Sequence, residues 1–358
     1  MLPLKPVRVL VVDDSTFMRG ALVRMISKNP RFTVIDTAVN GKEGVEKAQA
    51  LRPDVMTMDV EMPVMNGLEA LTEIMKTVKT PVIMISTLTE AGAETTIKAL
   101  ELGAVDFVPK AFGDKDKNIF RGAQELYEKL LAAAGVEDEP FEAVRGAPAA
   151  VAPVRGMVTS AMPLPLKAGL RVNARVVIIG SSTGGPKALQ VVVQALPANL
   201  PVPVVIAQHM PPQFTLALAK RLNEISQIKV VELSDNEPLL PGTVYISPGG
   251  LHGRVTANSG KVTEDKGESL YKPSVDVLAE SAAAVHGRQV IAVMLTGMGS
   301  DGMREFTKLH ALGAHVIAQN RESSVVYGMP KAVVEAGAAD EVLSIEEIGP
   351  RIASLLGC

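Results

Sequence analysis

The chain has 358 residues, a hydrophobic content of 47%, a formal net charge of −3 and a single cysteine, Cys358. The length predicts two or three domains with full cores, and the near-balanced charge argues against a nucleic-acid-binding protein. No run of about 18 apolar residues and no signal-peptide pattern occurs, and the lone cysteine excludes an internal disulfide, so we expect a cytoplasmic protein without membrane insertion.

The first third of the chain alternates short apolar runs with amphipathic segments. This pattern is typical of a parallel sheet covered by helices on both faces. The predicted strands are Val9–Val12, Phe32–Thr37, Val55–Met58, Val82–Ile85 and Phe107–Val108. The predicted helices are one that carries Leu22, Met25 and Ile26, then Gly41–Ala50, Gly67–Thr77, Glu90–Leu102 and Lys117–Ala134.

Polar side chains follow the strands of this predicted sheet at the point where each strand ends. They are Asp13, Asp14, Asp59, Ser86 and Lys110. A single aspartate after a strand is usually a cap or turn residue, but five polar groups at matching positions favour a site. Three carboxylates at one edge repel one another unless a cation joins them, and oxygen ligands suit Mg²⁺.

The motifs Leu10–Ser15, Met58–Pro63 and Phe107–Lys110 resemble the receiver domain of two-component response regulators. The resemblance implies that Asp59 is phosphorylated and that Asp13, Asp14 and Asp59 hold Mg²⁺. It also implies that Ser86 and Lys110 contact the phosphoryl group and that Phe107 switches with it. Receivers usually carry proline after this lysine, whereas this chain has Ala111, so the geometry of that loop is expected to differ.

Residues 135–172 are rich in alanine, proline and valine and keep neither helical nor strand periodicity. Such composition is typical of a semi-extended linker. We therefore predict a receiver domain over 6–134, a linker over 135–172 and a second domain over 173–358.

The second domain begins with an apolar strand that runs into Gly180–Pro186, a loop of glycines and small hydroxyl residues. Pro186 suits the first turn of a following helix. The loop has two interpretations: it is a glycine loop that cradles a phosphate, or it carries a serine that acts as a nucleophile.

The rest of the second domain again alternates strands and helices, which predicts another doubly wound α/β domain with a Rossmann-like parallel sheet. The predicted strands are Val202–Ala207, Ile228–Leu233, Gly242–Ile246, Val290–Leu295 and His315–Ala318, with a hairpin of Gly253–Val255 and Lys261–Thr263. The predicted helices are Gln213–Ser226, Val275–Val285, one that ends at Leu312, Pro330–Ala336 and Ile345–Leu355.

A hydroxyl, an imidazole and a carboxylate follow three different strands of this domain. They are Ser181 or Ser182, His209 and Asp301, the residue types of a nucleophile, a general base and an orienting acid. His252, in a glycine-rich loop, is the second candidate for the base. His310 and His315 fit a surface or core role.

The segments Ile179–Gly185, Gln208–Pro211, Tyr271–Asp276 and Leu295–Gly302 resemble the chemotaxis receptor methylesterase family. The resemblance implies Ser182 as the nucleophile, His209 as the base and Asp301 as the carboxylate. It further implies that Met298 gives a backbone N–H to the oxyanion hole and that Thr183 supports the site.

The two resemblances together imply a phosphorylation-activated hydrolase that removes methyl groups from receptor glutamates, releases methanol and deamidates receptor glutamines. The receiver would inhibit the catalytic domain until Asp59 is phosphorylated. The implied partners are methyl-accepting chemoreceptors and a chemotaxis histidine kinase, with no cofactor for ester hydrolysis. The alternative is a non-catalytic interaction module switched by phosphorylation. A DNA-binding regulator is a weaker alternative, because the charge is balanced and no basic recognition helix is evident. A nucleotide-binding domain built on Gly180–Gly185 is also weaker, because no acidic ribose partner follows the loop about twenty residues on.

Overall fold

The computed structural model describes residues 5–110, 118–136, 170–264 and 269–358. Ala111 and most of the predicted linker lie outside these residues. Among the described helices, none is long and apolar enough to cross a membrane.

The N-terminal domain, described over 5–110 and 118–136, alternates strands and helices as the sequence predicts. Its strands are β1 Val7–Val12, β2 Phe32–Ala38, β3 Val55–Asp59, β4 Val82–Ser86 and β5 Asp106–Pro109. Its helices are α1 Thr16–Ser27, α2 Gly41–Leu51, α3 Gly67–Thr77, α4 Glu90–Glu101 and α5 Asn118–Ala133.

The five strands form one parallel sheet in the order β2-β1-β3-β4-β5. The chain leaves β1 toward β2 and later returns to β3 on its other side. Loops diverge at such a reversal, which leaves a crevice beyond the carboxyl ends of β1 and β3. Asp13 and Asp59 lie at this crevice.

Side-chain caps fix where several of these helices begin. Asn40 and Thr89 each accept a hydrogen bond from a backbone N–H in the first turn of the next helix. Asn66 and Glu69 form a reciprocal capping box at the start of α3. These contacts satisfy amide groups that the helix itself cannot bond.

The C-terminal domain is described over 170–264 and 269–358. Its strands are β6 Val176–Ser181, β7 Val204–Gln208, β8 Lys229–Glu232, β9 Thr243–Ile246, β10 His252–Val255, β11 Gly260–Thr263, β12 Val290–Met294, β13 His315–Gln319 and β14 Glu341–Leu343. Its helices are α6 Gly185–Gln194, α7 Phe214–Ile225, α8 Val275–His286, α9 Met303–Ala311, α10 Met329–Glu335 and α11 Ile345–Leu356.

Seven of these strands form a parallel sheet in the order β14-β13-β12-β6-β7-β9-β8. The predicted hairpin is confirmed as the antiparallel pair of β10 and β11. The sequence did not predict β14. The strand order places β6 between β12 and β7, so the loops after these three neighbouring strands meet at one edge. The predicted class, two doubly wound parallel α/β domains, is confirmed.

The two domains pack through α4 and β5 on one side and α6 and α7 on the other. Phe107 stacks on Phe214 with ring centroids 4.4 Å apart. The Glu101 carboxylate accepts hydrogen bonds from Arg221 and, at 3.2 Å, from the side-chain amide of Gln190. One cluster of buried apolar side chains continues from the first sheet into the second.

Candidate active site and acidic pocket

Three carboxylates and one ammonium meet at the crevice of the N-terminal sheet. Oxygen atoms of Asp13, Asp14 and Asp59 lie within 4.8 Å of one another. The Nζ of Lys110 is 2.6 Å from Asp59 Oδ2 and 3.9 Å from Asp13 Oδ2. Asp13 and Asp59 are buried, whereas Asp14 is exposed.

The electrostatics of this pocket favour an added cation. Burial, and next the charge of Asp59, raise the pKa of Asp13 to about 6. Burial also raises the pKa of Asp59, against the opposing hydrogen bond from Lys110. Asp13 Oδ2 is buried and has no hydrogen-bond partner among the described residues. A buried carboxylate oxygen without a hydrogen bond, beside two other carboxylates, fits the oxygen-ligand chemistry of Mg²⁺.

The other two predicted phosphoryl-site residues face elsewhere. Thr96 Oγ1 donates to Ser86 Oγ at 2.7 Å, and Ser86 Oγ donates to the Gly92 carbonyl at 3.3 Å, so this hydroxyl bonds to α4. Phe107 is 2% exposed and fills the contact with Phe214 of the C-terminal domain. In this structure Ser86 is therefore bonded to α4, and Phe107 lies in the domain interface.

The turn from β6 into α6 holds Ser182 at the carboxyl edge of the second sheet. Gly184 adopts a φ of +75°, which favours glycine, and the following helix begins at Gly185. The Ser182 N–H donates to the Thr296 carbonyl at 3.0 Å. A Cβ at Gly297 would lie 2.8 Å from Ser182 Cβ, so the two loops are in close contact.

His209 and Asp301 meet beside this turn, each on the loop after its strand. His209 Nε2 lies 2.7 Å from Asp301 Oδ2. His209 Nδ1 is buried and has no partner in the described part of the chain. A neutral ring that donates its Nε2–H to Asp301 keeps an unshared electron pair on Nδ1, which makes Nδ1 the candidate base atom.

The Asp301 carboxylate remains ionised in this setting. Burial alone would raise its pKa, but the hydrogen bond and charge of His209 and the backbone N–H groups of Val275 and Asp276 lower it below its usual value. These two amides belong to the first turn of α8, where the helix end is positive. An ionised Asp301 can stabilise an imidazolium at His209.

Ser182 Oγ makes no hydrogen bond to His209 within the described residues, as the partnerless Nδ1 shows. The structure brings the Ser182 loop to the His209–Asp301 pair but not into bonding contact. The N–H groups of Thr183 and Met298 likewise have no acceptor among these residues. They are candidate donors to an oxyanion.

Two residues that sequence reasoning did not select hold this site together. The Gln208 side-chain amide donates to the carbonyls of Ser182 (2.9 Å) and His209 (3.1 Å), which ties the two loops to each other. The Tyr271 ring stacks on His209 with centroids 4.1 Å apart and planes 6° apart. Both lie inside motifs that were recognised, but their roles depend on contacts between distant segments.

The second candidate base lies behind the site. His252 is 1% exposed, and its Nδ1 accepts the Ser274 N–H at 3.2 Å. His315 pairs with Glu341 at 2.8 Å, and His310 lies 3.5 Å from Asp340. These contacts place His252 inside the domain in a structural role, and place the other two beside carboxylates at the amino-terminal edge of the sheet.

A cleft of about 790 Å³ leads to the site between the two domains. Tyr271, Met298 and Tyr327 line its C-terminal-domain wall, and Tyr127 and Glu128 of α5 line the opposite wall. The N-terminal domain therefore forms one wall of a cleft that borders Tyr271, the residue stacked on His209.

Comparisons with known proteins agree with this architecture. The family model described as CheB methylesterase matches residues 177–352, and the response regulator receiver domain model matches residues 9–118. A protein-glutamate methylesterase/protein-glutamine glutaminase of Oleidesulfovibrio alaskensis is 46% identical over 97% of this chain and 98% of its own. One of Thermotoga maritima is 44% identical over 98% of each chain.

The crystal structure of the Thermotoga maritima CheB methylesterase catalytic domain is similar to the C-terminal half. It is 41% identical, with a TM-score of 0.50, and the match covers 51% of this chain and 100% of that one. The comparisons thus favour the hydrolase over the non-catalytic module, the DNA-binding regulator and the nucleotide-binding domain.

Proposed function

The chain belongs to the CheB methylesterase family with an N-terminal receiver domain, and on that premise we propose that Ser182, His209 and Asp301 hydrolyse glutamate γ-methyl esters on chemoreceptors. The same site deamidates receptor glutamines. The reaction resets receptor methylation and so supports adaptation in chemotaxis. The observation that carries the assignment is the meeting of the Ser182 turn with the His209–Asp301 pair at one sheet edge.

The proton path follows from the orientation of the His209 ring. Asp301 accepts the Nε2–H, so Nδ1 is left to take the proton of Ser182 Oγ as that oxygen attacks the ester carbonyl. Rotation of the serine side chain closes the remaining gap when substrate is bound, since catalytic hydrogen bonds often tighten only in the complex.

The negative charge that develops on the carbonyl oxygen is met by backbone donors. The N–H groups of Thr183 and Met298 lie on the two loops that meet at Ser182. One such donor contributes about 3 kcal/mol to a transition state of this kind. The two amides therefore suit the oxyanion hole that the family resemblance implies.

The reaction is completed in two steps. The imidazolium of His209 gives its proton to the methoxy oxygen, and methanol leaves. The acyl group then remains on Ser182 as the acyl-enzyme. A water then gives its proton to Nδ1 and attacks the acyl group, which frees glutamate and restores Ser182. With a glutamine side chain, ammonia leaves in place of methanol. No cofactor is required for these steps as we propose them.

The receiver domain controls this reaction through Asp59. Asp13, Asp14 and Asp59 would hold Mg²⁺, which offsets the charge of an incoming phosphoryl group. Lys110, already 2.6 Å from Asp59, would contact the phosphoryl oxygens. The phosphodonor is a chemotaxis histidine kinase, and the protein acts in the cytoplasm, where such receptors expose their methylated segments.

Inhibition follows from the position of β5 and α4 against the catalytic domain. Phe107 stacks on Phe214 at the start of α7, shortly after the His209 loop. Burial raises the pKa of Asp106, the residue before Phe107, while the charge of Lys129 and, more weakly, a hydrogen bond from Thr183 of the catalytic domain oppose that rise. Phosphorylation would draw Ser86 and Lys110 to the phosphate and disturb these contacts. We therefore propose a receiver domain over 6–134, a linker over 135–172 and a catalytic domain over 173–358. Together they form one phosphorylation-controlled enzyme.

The assignment of the nucleophile is tested by replacing Ser182. We expect Ser182→Ala to lower the rate of methanol release from methylated receptor membranes by about 10⁴-fold or more, because the attacking oxygen is lost. Ser181→Ala is the matched control. Among the described residues its hydroxyl donates to Gln208 at 2.7 Å and bonds neither His209 nor Asp301, so at least about a tenth of the rate should remain. Near-normal turnover by Ser182→Ala would remove Ser182 from the mechanism.

A further inference from the structure

The Asp301 carboxylate is saturated with donors. Its Oδ2 accepts from His209 Nε2 at 2.7 Å and from the Val275 N–H at 2.7 Å. Its Oδ1 accepts from the Ser274 hydroxyl at 2.9 Å and from the Asp276 N–H at 3.1 Å. Two donors on each oxygen fix both the position and the plane of the carboxylate.

Ser274 provides the side-chain donor of this set besides the imidazole. The residue is 2% exposed and is the N-cap of α8, where its Oγ accepts a long bond from the Val277 N–H at 3.4 Å. Because that bond uses a lone pair, the hydroxyl hydrogen is free to point at Asp301. The Ser274 N–H in turn donates to buried His252, which holds the serine backbone in place.

We propose that Ser274 is a positioning residue of the hydrolytic site, which holds Asp301 in the orientation that fixes the tautomer of His209. The proposal rests on the function proposed above. Without the hydroxyl, Oδ1 keeps only the Asp276 amide, and the carboxylate can turn about its Cβ–Cγ bond. Oδ2 then loses its alignment with Nε2–H. The tautomer with its proton on Nδ1 gains population, and in that form Nδ1 cannot accept the serine proton.

Ser274→Gly is the deciding variant. Glycine is tolerated at an N-cap, so α8 should remain folded while the hydroxyl is lost. Hydrogen bonds to charged groups are among the strong ones, and we expect kcat for methanol release to fall about 10- to 100-fold with KM changed less than about threefold. The kcat of Ser274→Ala should fall by a similar factor. Ser274→Thr keeps a hydroxyl and should retain most of the kcat of the unmodified protein. All are measured on the full chain with Mg²⁺ and acetyl phosphate.

Ser281→Ala controls for damage to the same helix. The Ser281 hydroxyl donates to the Leu278 carbonyl and accepts from the Val255 N–H, away from Asp301. Its kcat should stay within about twofold of the unmodified protein, and thermal unfolding of all variants shows whether they fold.

The ¹⁵N chemical shifts of the neutral His209 ring show which ring nitrogen carries the proton, and this measurement does not need substrate. The signal is assigned by its loss in His209→Asn. The unmodified protein should show a protonated Nε2 and an unprotonated Nδ1, and Ser274→Gly should show a mixture. A folded Ser274→Gly with kcat within twofold, or a slowed variant with an unchanged tautomer, would overturn the proposal. If the unmodified protein released no methanol, the proposed function would fail, while the ring shifts would still decide the role of Ser274.

Discussion

At the scale of single residues, neighbours decide what each titratable group can do. His209 bonds Asp301, and His252 bonds the backbone of Ser274, whose hydroxyl also bonds Asp301. Asp301 accepts the Nε2–H of His209 and leaves its Nδ1 without a partner among the described residues, whereas His252 accepts a backbone N–H and lies inside the domain. The first ring suits a base, and the second supports the position of Ser274.

The ionised, buried Asp13 carboxylate lowers the stability of the folded protein, and this effect can be tested. Its pKa is raised to about 6 in the folded protein from 3.8, so the folded state binds more protons than the unfolded state between these values. The contribution of Asp13 to the free energy of unfolding therefore falls by about 3 kcal/mol as the pH rises from about 4 to 6. This loss of stability remains at neutral pH until a bound cation offsets the charge of Asp13.

We expect Asp13→Asn to be more stable than the unmodified protein in EDTA at pH 7, with the gain shrinking toward pH 4. Mg²⁺ should stabilise the unmodified protein more than the variant, because the variant has lost a ligand. Urea unfolding of the full chain across this pH range measures both effects. A stability difference that does not change with pH would contradict the assigned cause.

Much of the site could be predicted from residues at strand ends. Asp59, His209 and Asp301 lie where the strand–helix alternation puts them, because carboxyl ends of parallel strands share an edge. The ring orientation of His209 could not be predicted, since it depends on Asp301, 92 positions away along the chain. Gln208 and Tyr271 were missed for the same reason.

At the scale of elements, local signals explain which boundaries the sequence could predict. Helix α3 begins and ends where the pattern indicates, at Gly67 and Thr77, because the Asn66–Glu69 capping box defines its start. Strand β14 was missed because Glu341–Leu343 is only three residues long and carries no periodicity. It forms only through pairing with β13.

Helix α4 offers a direct test of the domain interface. Glu101 on this helix accepts hydrogen bonds from Gln190 and Arg221 of the catalytic domain. Glu101→Lys should weaken docking and raise the unphosphorylated rate of methanol release, about tenfold for each 1.4 kcal/mol removed. The phosphorylated rate should change little, because the open form has already lost these contacts.

Glu46→Lys is the matched control for that experiment. It makes the same change of charge at an exposed position of α2, a helix that packs on α3 and the first sheet. Its unphosphorylated rate should equal that of the unmodified protein. Equal rates for Glu101→Lys and Glu46→Lys would mean that the Glu101 contacts do not restrain the enzyme.

At the scale of the whole molecule, the receiver domain and the catalytic domain share one buried cluster and one cleft. The cluster joins the sheets through α4, α6 and α7, and α5 forms one wall of the cleft beside Tyr271 and Met298. Release of the receiver domain would therefore open the cleft as well as break the packed interface. A block of about 2.7 kcal/mol would leave about 1% of the molecules open.

Removal of the receiver domain should release this block. We expect residues 170–358, which keep the Val172 N–H bond to the Leu355 carbonyl, to release methanol faster than the intact unphosphorylated protein. The corresponding Thermotoga maritima domain was crystallised as a separate chain, which supports independent folding. Equal rates at matched concentration would argue against inhibition by the receiver.

We propose that phosphorylation of Asp59 switches on a serine hydrolase. This is tested by methanol release from methylated receptor membranes by the intact protein, with and without acetyl phosphate and Mg²⁺, compared with Asp59→Asn. We expect the rate to rise severalfold or more with the phosphodonor in the unmodified protein and to stay at the basal level in Asp59→Asn. An equal rise in both proteins, or no methanol from either, would contradict it.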